Sequence, residues 1–159
     1  MSGPDRSSSS PVILTDAATR VVYATDNSIY QVAPHGVLVA DGPDAIAAAL
    51  VDNHQSPDPL PVVARGAGTG TNGQSLTDGL MIDVKRRMHR LLDLDVANRT
   101  AVVQPGMVTA ALNDQLRPHG LFWAPHTSTL NRATVGGMIS TDAAGKGSCL
   151  LYTSDAADD

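Results

Sequence analysis

The sequence predicts an α+β protein of two lobes, the second lobe left incomplete by this chain. Three observations predict it. A strand–helix–strand unit runs straight into a glycine-rich loop, short β-rich segments follow, and a second long polar loop comes after them. At 159 residues, with 42% hydrophobic and 17% charged residues, the chain has the size and composition of about one soluble globular domain.

The elements follow in order. Gly36 to Ala40 (GVLVA) is a short β-branched and apolar run of the kind that forms a buried strand. Asp41 offers an N-cap and Asp44 a negative charge in the first turn of a helix over Ala45 to Val51. The helix stops before the proline-rich stretch from Ser56 to Pro61. Pro61 to Ala64 begins the next strand, Leu80 to Val84 (LMIDV) a third, Arg90 to Val96 a fourth and Arg99 to Gln104 a fifth. Asn98 is the turn residue of a hairpin between the last two. Val108 to Leu116 carries apolar residues at helical spacing and is stopped by Pro118 and Gly120.

Several function classes are excluded early. A formal net charge of −5 is wrong for a nucleic-acid binder, which shows a basic face. All sixteen acidic residues are Asp. No run approaches the roughly 18 apolar residues of a membrane span. Met1 to Pro11 (MSGPDRSSSSP) lacks the apolar core of a signal peptide, so residues 1–15 are expected to be a disordered tail of a cytoplasmic protein. A single Cys, Cys149, leaves no disulfide framework and no cysteine-rich metal site. His35, His54, His89 and His119 stand isolated beside Pro, Gly or charged residues and read as surface residues. Arg86, Arg87 and Arg90 read as a solvated face.

Two loops carry the chemistry. Arg65 to Ser75 reads RGAGTGTNGQS, with four Gly among hydroxyl and amide side chains. Successive glycines let backbone N–H groups converge on one point, an arrangement suited to a phosphate; the alternative is a flexible surface loop. A Rossmann-type fingerprint counted from Gly66 would need Gly where Thr71 stands, and a P-loop ending at Gly73 would need Lys where Gln74 stands. Ala124 to Gly145 (APHTSTLNRATVGGMISTDAAG) is the second loop. Thr134 with Gly136 and Gly137 would allow a second close approach to an elongated ligand; the alternative is a helix from Thr134 to Ala144.

Together, YATDNSIYQ (Tyr23 to Gln31), RGAGTGTNGQSLTDG (Arg65 to Gly79) and NRATVGGMISTDAAGKGS (Asn131 to Ser148) resemble the PCMH-type FAD-binding domain of the vanillyl-alcohol-oxidase-type flavoproteins. Within that family the chain looks most like bacterial FAD/iron–sulfur D-2-hydroxyglutarate and D-lactate dehydrogenase-like proteins. The resemblance spans residues 16–148 and implies a two-lobed domain whose second lobe is truncated. It implies that FAD lies with its pyrophosphate on Arg65, Gly66, Ala67, Gly68, Thr69, Gly70, Thr71, Asn72 and Gly73, and with its flavin end beside Ser128, Thr134, Gly136 and Gly137. Relatives that link flavin covalently use a His at the place of Thr69, so the FAD is expected to be non-covalent. The resemblance further implies hydride transfer from a D-2-hydroxy acid held by a downstream cap domain, and electron exit through a downstream iron–sulfur cluster. No catalytic acid or base and no metal ligand is assigned within the chain.

Three positions depart from the family pattern. Ala64 and Ala67 replace a Pro and a Gly, and His126 replaces an acidic residue and receives no role. Residues 149–159 (CLLYTSDAADD) resemble a translated sequencing adapter, the alternative being an acidic tail. The competing functions are a non-enzymatic nucleotide- or phosphate-binding module and a fragment that does not fold alone.

Overall fold

The computed structural model describes residues 11–143 together with 145 and 146. The first lobe is a four-stranded sheet in the order β1-β2-β4-β3. Strand β2 (Gly36–Val39) and β3 (Val62–Arg65) both run parallel to β4 (Leu80–Asp83), which lies between them, while β1 (Ile13–Leu14) adds an antiparallel edge to β2. Helix α2 (Pro43–Gln55) makes the crossover from β2 to β3.

Because side chains alternate across a strand, the central strands feed two cores. Leu38, Ala40, Leu80, Ile82 and Val84 pack with Ala49 and Ile46 of α2. Val37 and Met81, one residue out of phase, pack with Tyr23 of helix α1 (Ala17–Tyr23). Strand β4 is buried at all four positions, which is why its sequence reads as an unbroken apolar run up to Asp83.

The second lobe begins with a hairpin of β5 (Leu91–Asp95) and β6 (Thr100–Val103), with a register shift between Leu91 and Asp93. Asp95 closes its turn by accepting from Asn98 N at 3.0 Å and Asn98 Nδ2 at 2.6 Å. Helix α3 (Thr109–Leu116) passes into a 3-10 turn at Arg117–His119, and Gly120 ends it at φ 67°. Met107, Leu112, Leu116 and Val135 form this lobe's core, with Leu91, Leu94, Val103 and Trp123 packed on it. The lobes meet at Gly106, where a Cβ would fall 2.3 Å from the Val84 carbonyl oxygen. Only glycine fits this seam.

Four readings change. Ile13 and Leu14, expected in a disordered tail, form β1, and Asp16 caps α1 by accepting from Thr19 N at 2.9 Å. Helix α2 is longer than expected at both ends. Its N-cap is Gly42 rather than Asp41, because Pro43 sets the first helical φ without needing a donor. Helix α1 was not anticipated, and the second polar loop contains helix α4 (Val135–Ser140), a shorter version of the helical alternative. Residues 1–10 and 147–159, which include most of the expected tail and the adapter-like segment, lie outside the described residues. Among the described residues no helix is long and apolar enough to cross a membrane.

Candidate functional site

Past Arg65 the chain turns sharply, with Gly68 at φ 65° and Gly73 at φ 74°. Both are left-handed conformations that glycine adopts without penalty. Among the described residues, the backbone amides of Ala67, Gly68, Thr69, Gly70 and Thr71 donate to no protein acceptor. Five consecutive unpaired amides on one tight loop are an anion-binding arrangement. Asn72 N, by contrast, donates to Gln74 Oε1 at 3.1 Å and closes the loop's far end.

Arg65 supports this loop from beneath. Its Nη2 donates to the Thr25 carbonyl at 2.7 Å, and its guanidinium carbon sits 5.6 Å from the centroid of the Tyr23 ring. A Cβ on Gly68 would lie 2.6 Å from Nη2, so the loop rests directly on the guanidinium. Burial pulls the Arg65 pKa below its ordinary value, against the opposing charges of Asp26, Tyr23 and Asp83. Arg65 Nη1 is buried without a hydrogen-bond partner. Tyr23 in turn donates to Asp83, which also accepts from Lys85 N at 2.8 Å and Arg86 N at 3.1 Å. Burial first, then the hydrogen bond and charge of Asp83, push the Tyr23 phenol up to about 12.

The facing wall is the start of α4. Thr134 is its N-cap and accepts from Gly137 N at 3.3 Å. Val135 N donates to the Met107 carbonyl at 2.8 Å and Gly136 N to the Pro105 carbonyl at 2.9 Å. The amides of this first turn are therefore spent inside the protein. A Cβ on Gly136 would fall 2.7 Å from Pro105 Cβ, so Gly136 is needed for packing on Pro105. The close backbone approach expected at Gly136 is an approach to the chain itself.

The two walls enclose a cleft of about 580 Å³. Of the sequence-predicted residues, Gly66, Ala67, Gly68, Thr69, Gly70, Thr134, Gly136 and Gly137 line it. Arg65 lies below it, and Thr71, Asn72, Gly73 and the exposed Ser128 are not among its lining residues. Gln74, Ser75, Thr127 and Thr129 line it and were missed. Alternation along 127–129 explains one substitution: Ser128 turns outward while its neighbours face the cleft. Thr127 Oγ1 is buried without a partner. Among the described residues no Lys, Arg or His lines the cleft, so an anion there would be met by neutral amides and hydroxyls.

Counted from Gly68, the loop does satisfy G-x-G-x-x-G through Gly70 and Gly73, a spacing that the count from Gly66 passes over. A Rossmann fingerprint also requires the loop to open a helix. Here it leads from β3 to β4 with no helix between, so the motif's spacing occurs outside that fold.

The FAD binding domain family matches residues 34–157. D-2-hydroxyglutarate dehydrogenase of Pseudomonas putida is 51% identical over 138 residues, covering 86% of this chain and 14% of that protein. The Escherichia coli K12 protein of the same name is 42% identical, covering 89% of this chain and 14% of its own length. Glycolate oxidase subunit GlcD of Bacillus subtilis is 33% identical, covering 80% and 27%. Among solved structures, an alkyldihydroxyacetonephosphate synthase superposes with a TM-score of 0.74 at 18% identity, over 87% of this chain and 28% of that one, a likeness of fold. The chain thus spans about a seventh of the dehydrogenases it matches. On the family match across most of its length, the chain belongs to the FAD-binding domain family.

Proposed function

We propose that this chain is the FAD-binding portion of a dehydrogenase that oxidises a D-2-hydroxy acid of the 2-hydroxyglutarate or lactate class. The observation that carries the reading is the run of unpaired amides that starts at Ala67 and follows one wall of the cleft as far as Gly70. A pyrophosphate needs several donors at short spacing, and this run supplies them without a cationic side chain. The residues present fit the cofactor on that ground.

In this reading, Gly66 to Gly73 hold the pyrophosphate, with Arg65 beneath as a fixed positive charge. Thr134, Gly136 and Gly137 bound the flavin end by shaping the wall, and at 127–129 Thr127 and Thr129 face it in place of the outward Ser128. FAD, when bound, supplies a two-electron oxidant for a CH–OH carbon. Thr69 has no ring nitrogen to offer, so the cofactor is held non-covalently. The chain's own part is to bind, orient and exclude water; it contributes no acid or base. The 2-hydroxy acid, its cap domain, the iron–sulfur module and the electron acceptor are assigned to segments outside this chain, and the protein to the cytoplasm.

The experiment is to purify the full-length protein and record its visible spectrum before and after adding D-2-hydroxyglutarate or D-lactate under anaerobic conditions. Flavin absorbance that bleaches with either acid, and that moves to the supernatant on acid precipitation, is the expected result. A colourless protein that takes up no added FAD would remove the cofactor assignment. Bound flavin that neither acid bleaches would remove the substrate class.

A further inference from the structure

Four contacts from one short segment converge on the amide-bearing loop. The chain doubles back between Ala24 and Val32, where Val32 N donates to the Ala24 carbonyl at 2.9 Å and Thr25 bridges to Gln31. From this hairpin, the Thr25 carbonyl accepts from Arg65 Nη2 at 2.7 Å and Asn27 N donates to the Gly68 carbonyl at 3.0 Å. Asp26 Oδ2 accepts from Ser75 Oγ at 3.0 Å. The Tyr30 ring lies where a Cβ on Gly73 would meet it at 2.8 Å. The contacts reach residues 65, 68, 73 and 75, so they grip the loop at its start, middle and end. All of them lie N-terminal to the matched family region, which begins at residue 34.

We propose that residues 24–32 are a clip that pre-organises the loop for its ligand, with Asp26 as the positioning residue. The inference rests on the FAD reading above and goes beyond it, by assigning a binding role to a segment that precedes the matched family region. A glycine-rich loop loses more conformational freedom on ordering than a loop of the same length built from other residues. A loop already held in its bound shape spares the ligand that cost. Asp26 is built to do the holding: Oδ1 accepts from Ser28 N at 2.8 Å and fixes the hairpin, while Oδ2 ties down Ser75 on the cleft wall. A carboxylate close to an anion site would be unfavourable by itself, and the Arg65 guanidinium beside it offsets the charge. The clip therefore acts through hydrogen bonding rather than through charge.

The test uses the full-length protein stripped of flavin, titrated with FAD by fluorescence and with ADP by competition, alongside thermal unfolding. Asp26→Ala should weaken both FAD and ADP about tenfold, because the loss lies at the phosphates the two ligands share. Asp26→Asn keeps an acceptor for Ser28 N and a partner for Ser75 while removing the charge, and should stay within about threefold of the parent. Equal losses in the two variants, or a loss in neither, would overturn the proposal. A loss of FAD binding by Asp26→Ala with ADP binding intact would overturn it too, since the effect would then lie away from the pyrophosphate loop. Should Asp26→Ala not fold, Ser75→Ala deletes one hydroxyl and carries the test: unchanged FAD affinity refutes the clip. A parent that binds no FAD at all would instead sink the cofactor reading, an outcome distinct from these.

Discussion

Gly66 and Thr134 lie so close that a Cβ built on Gly66 would fall 2.3 Å from Thr134 Oγ1. This contact joins the two walls of the cleft between segments far apart in sequence. Thr134 is only 2% exposed and its hydroxyl caps α4, so it has little room to yield. Gly66→Ala should therefore cost the cap, about 1 kcal/mol, together with overpacking of roughly 1–3 kcal/mol. Urea unfolding measures it. Combining Gly66→Ala with Thr134→Ala should recover part of the loss, since the second substitution removes the hydroxyl that the added methyl would meet. Strict additivity of the two would show that the residues do not press on one another.

Gly68 tests the other wall. Its φ of 65° disfavours a β-branched residue, and its Cβ direction points at the Arg65 guanidinium. Gly68→Val should lower FAD affinity of the full-length protein at least tenfold, about 1.4 kcal/mol. A folded variant with parental affinity would place the pyrophosphate elsewhere.

Tyr23 makes a prediction about alkaline pH. Its phenol is raised to about 12 by burial and by Asp83, above the ordinary tyrosine value of 10.0. A group whose folded pKa is raised stabilises the fold fully below its unfolded pKa and loses that contribution as pH climbs through the folded value. The protein should thus hold its Tyr23 contribution to about pH 10 and lose it progressively toward pH 12. Phenolate absorbance should show one tyrosine ionising late, and Tyr23→Phe should abolish that late component. If every tyrosine titrated together near pH 10 in the folded protein, the Tyr23–Asp83 bond would not be present.

How much of this was legible depended on whether local pattern or tertiary contact fixed each part. Strands β2 and β4 were readable because strands buried on both faces must be apolar throughout. Helix α1 was not, since Val21 and Val22 suggest a strand yet sit on its exposed face. Helix α4 stood only as the alternative to a loop, because Gly136 and Gly137 disfavour helix; the Thr134 cap and packing on Pro105 override them. At the site, the glycine loop announced itself through composition. The placement of Gln74 and Ser75 on the cleft wall, and the link from Ser75 to Asp26, arise only when distant segments meet. Ser128 was chosen over Thr127 and Thr129 because sequence does not reveal which way an irregular segment faces.

The β5–β6 hairpin carries the last prediction. Among the described residues it is a two-stranded sheet with no third strand on either edge. Its inward residues Leu91, Leu94 and Val103 pack on the second core, but Leu92 and Val102 are each 54% exposed. Nearby, Phe122 is 70% exposed and borders an apolar groove of about 640 Å³ between the hairpin and α3. A two-stranded sheet is marginal in water, and unpaired edges beside apolar surface favour association between copies. The 159-residue chain by itself should therefore self-associate as its concentration rises. The double substitution Leu92→Thr with Val102→Thr places β-branched residues suited to a strand at both positions while removing apolar surface, and should shift the chain toward monomer. Sedimentation velocity across a concentration series reads both. A parent chain that stays monomeric throughout, or a double variant that associates as strongly, would show that the hairpin surface does not drive association.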